Sequence, residues 1–288
     1  MMNNGKAARA RKNLQGFSLI EMAVVLVIIG LVMGGVLGAL GPQLEQKKVR
    51  DTQERIKQAS EAIMAFAIAN RRLPCPASAA SNGDEQFGDA LGKGKCANAN
   101  GGFVPARTLG LGERGPNGVM QDAWGFGIRY AVTQVTFTGV GHTSVTIDCN
   151  TTPCYPFTQT DGIKNAYYYL DDMPDGQSKS KPKTDGQPKL DNLLQVCASS
   201  TGTTLTPPSC GADSNLIVQP AFVVWSTARN GGQAAVGADE AINLNLNPVY
   251  VTHSRTEPGA TGGAFDDILQ WQTAATVRQN MTNMGILP

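Results

Sequence analysis

The sequence predicts an α+β chain: one long amino-terminal helix, membrane-spanning in its first half, packed on a head built round an antiparallel β-sheet. Three observations predict it. Met22 to Leu40 is a run of nineteen residues without a charge, followed by an apolar stripe at helical spacing. Further on, runs of β-branched and aromatic residues are cut by glycines in the manner of hairpins. Charged residues make up only 16% of the chain, against 33 Gly and 16 Pro, a composition that favours turns and irregular segments over a mostly helical enzyme. At 288 residues the chain has room for one sizeable domain and an appendage.

The first segment is a basic leader, residues 1–16. Lys6, Arg9, Arg11 and Lys12 stand there with no acid among them; without these four, 20 basic residues face 23 acidic ones, a net of −3 against +1 for the whole chain. The remainder therefore offers no field for drawing in nucleic acid. Next comes the uncharged run, about 29 Å long at about 1.5 Å per residue, which matches the roughly 30 Å of a bilayer core. It is longer than the apolar part of a secretory signal, and no Ala-x-Ala follows it. Basic residues ahead of it set the amino terminus in the cytoplasm and the head outside. Glu21, at the start of the run, is a carboxylate in an apolar helix and needs a partner. Its first-turn position is one the helix dipole favours for negative charge.

These residues carry a resemblance. Lys12-Asn-Leu-Gln-Gly16, then Phe17-Ser-Leu-Ile-Glu21 and a uniformly apolar helix, resemble the class III leader of type IV pilins and type II secretion pseudopilins. The resemblance implies cleavage between Gly16 and Phe17 by prepilin peptidase at the cytoplasmic face and methylation of the new Phe17 amine. It implies that Glu21, fifth in the mature chain, pairs with the Phe17 amine of a neighbouring subunit during assembly. It also argues against the filament-tip pseudopilin class, which typically lacks that glutamate.

Gly30, Gly34 and Gly38 share one helix face, with Gly35 and Gly41 nearby. Small residues at this spacing let helices approach closely, and glycine is also simply commoner in membrane helices. Pro42 is expected to end or kink the span of residues 17–41. An amphipathic continuation then covers residues 42–72. Val49, Ile56, Ile63 and Asn70, with Ala59, Phe66 and Leu73 between, form one stripe; Lys47, Lys48, Arg50, Asp51, Glu54, Arg55, Lys57 and Glu61 lie mainly opposite.

Residues 73–288 form the head. Arg71-Arg72-Leu73-Pro74-Cys75-Pro76 stops the helix, and little regular structure is expected before about residue 125. Residues 129–140 and 143–149 read as a hairpin about Gly139 to Gly141, and 166–170 as a short strand. Residues 171–191 are polar and read as a mobile loop. Residues 216–226 and 248–253 read as the last two strands. Asp122-Ala-Trp124-Gly125 with Ile128-Arg129-Tyr130 is similar to the Asp-x-Trp-Gly-Asn-x-x-x-Tyr segment of pseudopilin-like proteins, with Phe126 in place of the usual asparagine. Phe222 to Ser226 with Asn230-Gly231, and Phe265 to Ile268 with Trp271, are similar to the carboxy-terminal half of longer prepilin-type proteins.

All six cysteines follow residue 74, which fits disulfides in an oxidising compartment. Fifteen pairings are open in principle. Local pairing is preferred, Cys75 with Cys96, Cys149 with Cys154 and Cys197 with Cys210, because each closes one polar, turn-rich loop without crossing the sheet.

Other chemistry is set aside. Gly110-Leu-Gly112-Glu-Arg-Gly115 fits G-x-G-x-x-G, but Pro116 follows and no strand precedes it. Gly88 to Lys95 has the wrong spacing for a phosphate loop. His142 and His253 are the only histidines and read as structural or surface residues. Asp84, Glu85 and Asp89 lie in one loop without diagnostic calcium spacing. Asp266 and Asp267 read as the cap of a helix beginning there. No cofactor, no metal and no catalytic activity are expected.

The resemblance implies a minor pilin or pseudopilin, a structural subunit of a type IV pilus or secretion-type filament. It would be single-pass in the inner membrane with a periplasmic head. Its partners would be prepilin peptidase, other pilin or pseudopilin subunits, an inner-membrane assembly platform, and membrane lipid before assembly. A filament adhesin or DNA-binding pilin is the alternative, and a membrane-anchored exoenzyme a more distant one.

Overall fold

A computed structural model describes residues 18–89, 94–112, 115–134, 155, 157–165, 193–205, 208–211, 216–231 and 237–287, the side chains of 34–40, 164 and 165 excepted. The chain divides into two compact units, Met1–Lys47 and Lys48–Pro288. Helix α1, Leu19–Asn70, is 52 residues long and contributes to both. Pro42 lies inside it, so the helix does not end there. Its first turn opens with the amides of Glu21 and Met22 donating to Ser18 O at 3.1 and 3.2 Å.

The described elements that follow are short strands and helices. They are β1 (Gly102–Phe103), β2 (Arg129–Val132), α2 (Gly162–Asn165), β3 (Gln195–Cys197), β4 (Thr204–Leu205), β5 (Pro208–Ser209), β6 (Leu216–Val218), β7 (Pro220–Ser226), α3 (Ala238–Leu244), β8 (Val249–Val251), β9 (Ile268–Thr273) and α4 (Ala274–Asn283). The architecture is α+β with antiparallel sheets, as the composition and the strand runs predict. Among its described residues the second unit holds a two-stranded sheet, β4-β5, and two larger ones. Of the larger two, one is antiparallel, in the order β1-β2-β7-β9; the other, β6-β3-β8, includes a parallel pair, β3 with β8. That pair departs from the purely antiparallel expectation. β3 reaches β8 through a connection long enough to re-enter in the same direction.

The inner strands of the four-stranded sheet, β2 and β7, are covered on both faces, with alternate residues pointing to opposite sides. Tyr130, Val132, Phe222 and Val224 meet Ile56, Ile63 and Ala67 of α1 and Val277 and Met281 of α4. Ala131, Val223 and Trp225 meet Leu194, Val196 and Tyr250 of the three-stranded sheet. The second unit is thus layered helix, sheet, sheet.

Several expectations shift. The buried stripe of α1 is Thr52, Ile56, Ala59, Ser60, Ile63 and Ala67, while Asn70 is exposed, so the stripe follows the 3.6 period and drifts off the sevenfold one. Residues 216–226 form two strands, since Pro220 offers no N–H and the pairing with β9 is irregular between Pro220 and Phe222. β8 is not the last strand; β9 follows it. Residues 135–150, 166–170 and 171–191 lie outside the described residues.

Candidate functional site

Two regions carry chemistry: the start of α1 and the polar joints that hold the head. Leu19 to Met33 are all exposed, with Leu19 at 90% and Leu31 at 73%. Glu21 is exposed within that surface, in the first turn. A Cβ built on Gly30 or Gly41 meets nothing within 4 Å, so no contact inside the chain requires glycine at either position. Among the described residues no helix is long and apolar enough to cross a membrane. The run on which the membrane-span expectation rests extends through 34–40, outside that set. Gly16, Phe17, Cys149, Cys154 and His142 also lie outside the described residues.

Within the second unit, α1 is tied to the sheet through Asp122. Arg55 donates to Gln121 O at 2.8 Å and to Asp122 O at 3.0 Å, and Ala123 N donates to Thr52 Oγ1 at 3.1 Å. The Asp122 carboxylate is buried. Its Oδ1 accepts from Trp124 N and Phe126 N, both at 2.9 Å, and its Oδ2 from Ser226 Oγ at 2.6 Å. Ser226 Oγ in turn accepts from Ala228 N at 2.9 Å. Gly125 at the tip has φ +91, a conformation that suits glycine. Asp122 therefore joins helix, loop and central strand, which gives the Asp-Ala-Trp-Gly phrase a structural reason.

A second joint lies at the end of α1. Arg72 makes a two-pronged ion pair with Glu85, at 2.6 and 2.7 Å, with its guanidinium 4.9 Å from the Phe66 ring centre and 5.3 Å from that of Phe87. Glu85 Oε2 also accepts from Cys75 N at 3.1 Å. Disulfides link Cys75 with Cys96 and Cys197 with Cys210.

The third feature is a carboxyl cluster. Glu240, Asp266 and Asp267 each bring an oxygen within 4.8 Å of the others, a donor set of the kind a hard cation prefers. Internal donors already serve it. Glu240 accepts from Asn230 Nδ2 at 2.7 Å and Asp266 N at 2.8 Å, and Asp267 from Asn243 Nδ2 at 2.7 Å. Burial pushes the Asp267 carboxyl up to about 8; the Asn243 hydrogen bond opposes this, Glu240 and Asp266 reinforce it, and Arg129 opposes it. Asp266 and Asp267 precede strand β9 and cap no helix; the helix that follows, α4, is capped by Thr273, whose side chain accepts from Thr276 N. The alternation Leu269-Gln-Trp271-Gln was the available signal for that strand. The partnership of Glu240 with the pair had none, since α3 and β9 meet only in the fold.

His253 is fully engaged. Its Nε2 lies 3.1 Å from Asp239 Oδ2 and its Nδ1 2.7 Å from Ser254 O, and its ring lies 4.0 Å from that of Phe265. Neither nitrogen is left to serve a nucleophile. Gly110 sits in a turn with φ +70, and no strand among the described residues leads into it.

Residues 11–37 match the prokaryotic N-terminal methylation motif. The chain thus carries a prepilin-type cleavage and methylation motif. No curated protein and no solved structure matches the chain.

Proposed function

We propose that the protein is a minor pilin or pseudopilin, a non-catalytic subunit that polymerises through α1 and presents the disulfide-linked head. The observation that carries this is the match to the methylation motif over residues 11–37, the segment that contains Gly16, Phe17 and Glu21. Two features support it. The start of α1 is apolar and exposed on all sides, and a surface of that kind belongs against lipid or other helices. In the head, the one described histidine and the Ser226 hydroxyl are both spent on internal hydrogen bonds. On this reading the chain is held in the inner membrane with its head in the periplasm until prepilin peptidase and an assembly platform pass it to other subunits.

Coexpression with prepilin peptidase tests it. Intact-mass measurement should find a chain shortened by residues 1–16 and carrying a methylated Phe17. Gly16→Ala should be cut in part and bulkier residues not at all. An unprocessed chain beside an active peptidase would remove the reading.

A further inference from the structure

His253 stands between acceptors on both sides. Its Nδ1 lies 2.7 Å from Ser254 O and its Nε2 3.1 Å from Asp239 Oδ2. A carbonyl oxygen only accepts, so Nδ1 carries a hydrogen. The contact at Nε2 needs one as well, on the ring nitrogen or on the carboxyl oxygen. In either placement the pair holds one proton more than a neutral imidazole and a carboxylate hold together. We propose that His253 and Asp239 form a pH-sensitive latch, which docks the loop closed by Cys197 and Cys210 on α3 while the shared proton is bound and releases it when that proton passes to solvent.

The same carboxylate reaches the loop. Asp239 Oδ1 accepts from Ser200 N at 2.6 Å, whereas the other end of the loop is fixed separately, by Cys210 N donating to Gln195 Oε1 at 3.1 Å. Asp239 thus ties the residues just after Cys197 to α3 with one oxygen and depends on His253 at the other.

The pair has little slack. The side chains of His253 and Asp239 are 22% and 4% exposed. The Phe265 ring lies 4.0 Å from the imidazole, and a Cβ at Gly262 would collide with Asp239 Oδ2, so the Gly262 backbone stands close behind the carboxylate. Loss of the proton leaves one of two neutral tautomers. With the hydrogen on Nδ1, the Nε2 lone pair faces a carboxylate oxygen; with it on Nε2, the Nδ1 lone pair faces Ser254 O. Each forfeits a hydrogen bond and sets two acceptors against each other in a site where water screens them poorly.

The elements packed round the pair bring these charged groups. On α3, Glu240 follows Asp239 and is turned to Asn230 Nδ2 and Asp266 N. Asp266 and Asp267 follow Phe265, with Asp267 on Asn243 Nδ2. On the segment that carries His253, Arg255 Nε lies 3.6 Å from Glu257 Oε1, both side chains exposed. Residues 198–209 bring no charge. Histidine is the side chain whose charge changes near neutral pH, so the latch holds in mild acid and slackens as pH rises.

Hydrogen exchange at peptide resolution tests this in the full-length protein. Both parent and variants carry Asp267→Asn, which removes the carboxyl pushed up to about 8. After correction for the intrinsic pH dependence of amide exchange, protection of residues 198–204 should fall severalfold from about pH 6 to 9. His253→Gln donates to Asp239 without titrating and should flatten that change. His253→Phe keeps the ring stack, lacks the donor and should show the weak protection at every pH. The segment closed by Cys75 and Cys96 is the reference, and its protection should follow none of these changes. Protection that stays flat with pH in the parent, a pH-dependent loss that survives His253→Gln, or a loop held by His253→Phe as firmly as by the parent at pH 6 would overturn the proposal.

Discussion

Asp267 sits between Glu240 and Asp266 with only 8% of its surface exposed, and its carboxyl is pushed up to about 8 from an ordinary 3.8. Between those two values the folded chain holds a proton that the unfolded chain has released. Stability from this group is therefore fully present below about pH 4 and is lost as pH rises through about 8. Asp267→Asn keeps an acceptor for Asn243 and removes the ionisation. The variant should be more stable than the parent at pH 9 by roughly 1 to 2 kcal/mol, a Tm rise on the order of 2 to 8 °C, and should show a flatter stability profile from pH 5 to 9. Thermal melts across that range decide it; parallel profiles for the two proteins would refute the assignment. The Asp122 carboxylate is met by three hydrogen-bond donors. Asp122→Ala strands Ser226 Oγ and two loop amides and should cost about 3 kcal/mol or more, measured by urea unfolding.

Along α1, one element serves two surroundings. From Lys48 onward its buried stripe faces the sheet, and before that the described apolar residues, Leu19 to Met33 and Leu44, are exposed. This much was legible, because an uncharged run followed by a 3.6-residue stripe has few other meanings. The strands were legible unevenly. β2 and β7 are rich in Val, Tyr and Phe, whereas Ile268–Thr273 interleaves Leu269 and Trp271 with glutamines and follows two aspartates that mimic a cap. The joint between Asp122 and Ser226 spans 104 residues, so no local pattern could reveal it. The assembly glutamate was legible from its motif alone. Glu21→Ala removes a charge from an apolar helix, so insertion should persist, while incorporation into filaments beside other subunits should fall severalfold. Counting the variant in sheared filaments against the membrane fraction measures this, and wild-type incorporation would exclude charge pairing.

For the molecule as a whole, the disulfides offset a head that has little regular structure. The four-stranded sheet begins with a two-residue strand, and the segment between α1 and β2 is held mainly by isolated bridges such as Phe87 with Cys96 and Ala77 with Phe103. Cys75–Cys96 closes the loop there over 21 positions, and Cys197–Cys210 closes its own over 13. In the chain-entropy account each ring of this size contributes about 2 to 3 kcal/mol by restricting the unfolded chain. The first should weigh more on the native state as well. Cys75 lies in the core beside Leu73 and Val104, and its amide is held by the carboxylate that clamps Arg72. Replacing Cys75 and Cys96 by Ala should therefore expose the segment between α1 and β2 to protease. Replacing Cys197 and Cys210 should lower Tm by a comparable amount yet leave that segment protected. Limited proteolysis of the two variants, with fragments identified by mass, separates the cases. Equal cleavage between α1 and β2 in both would show that the Cys75–Cys96 ring acts only through the unfolded chain.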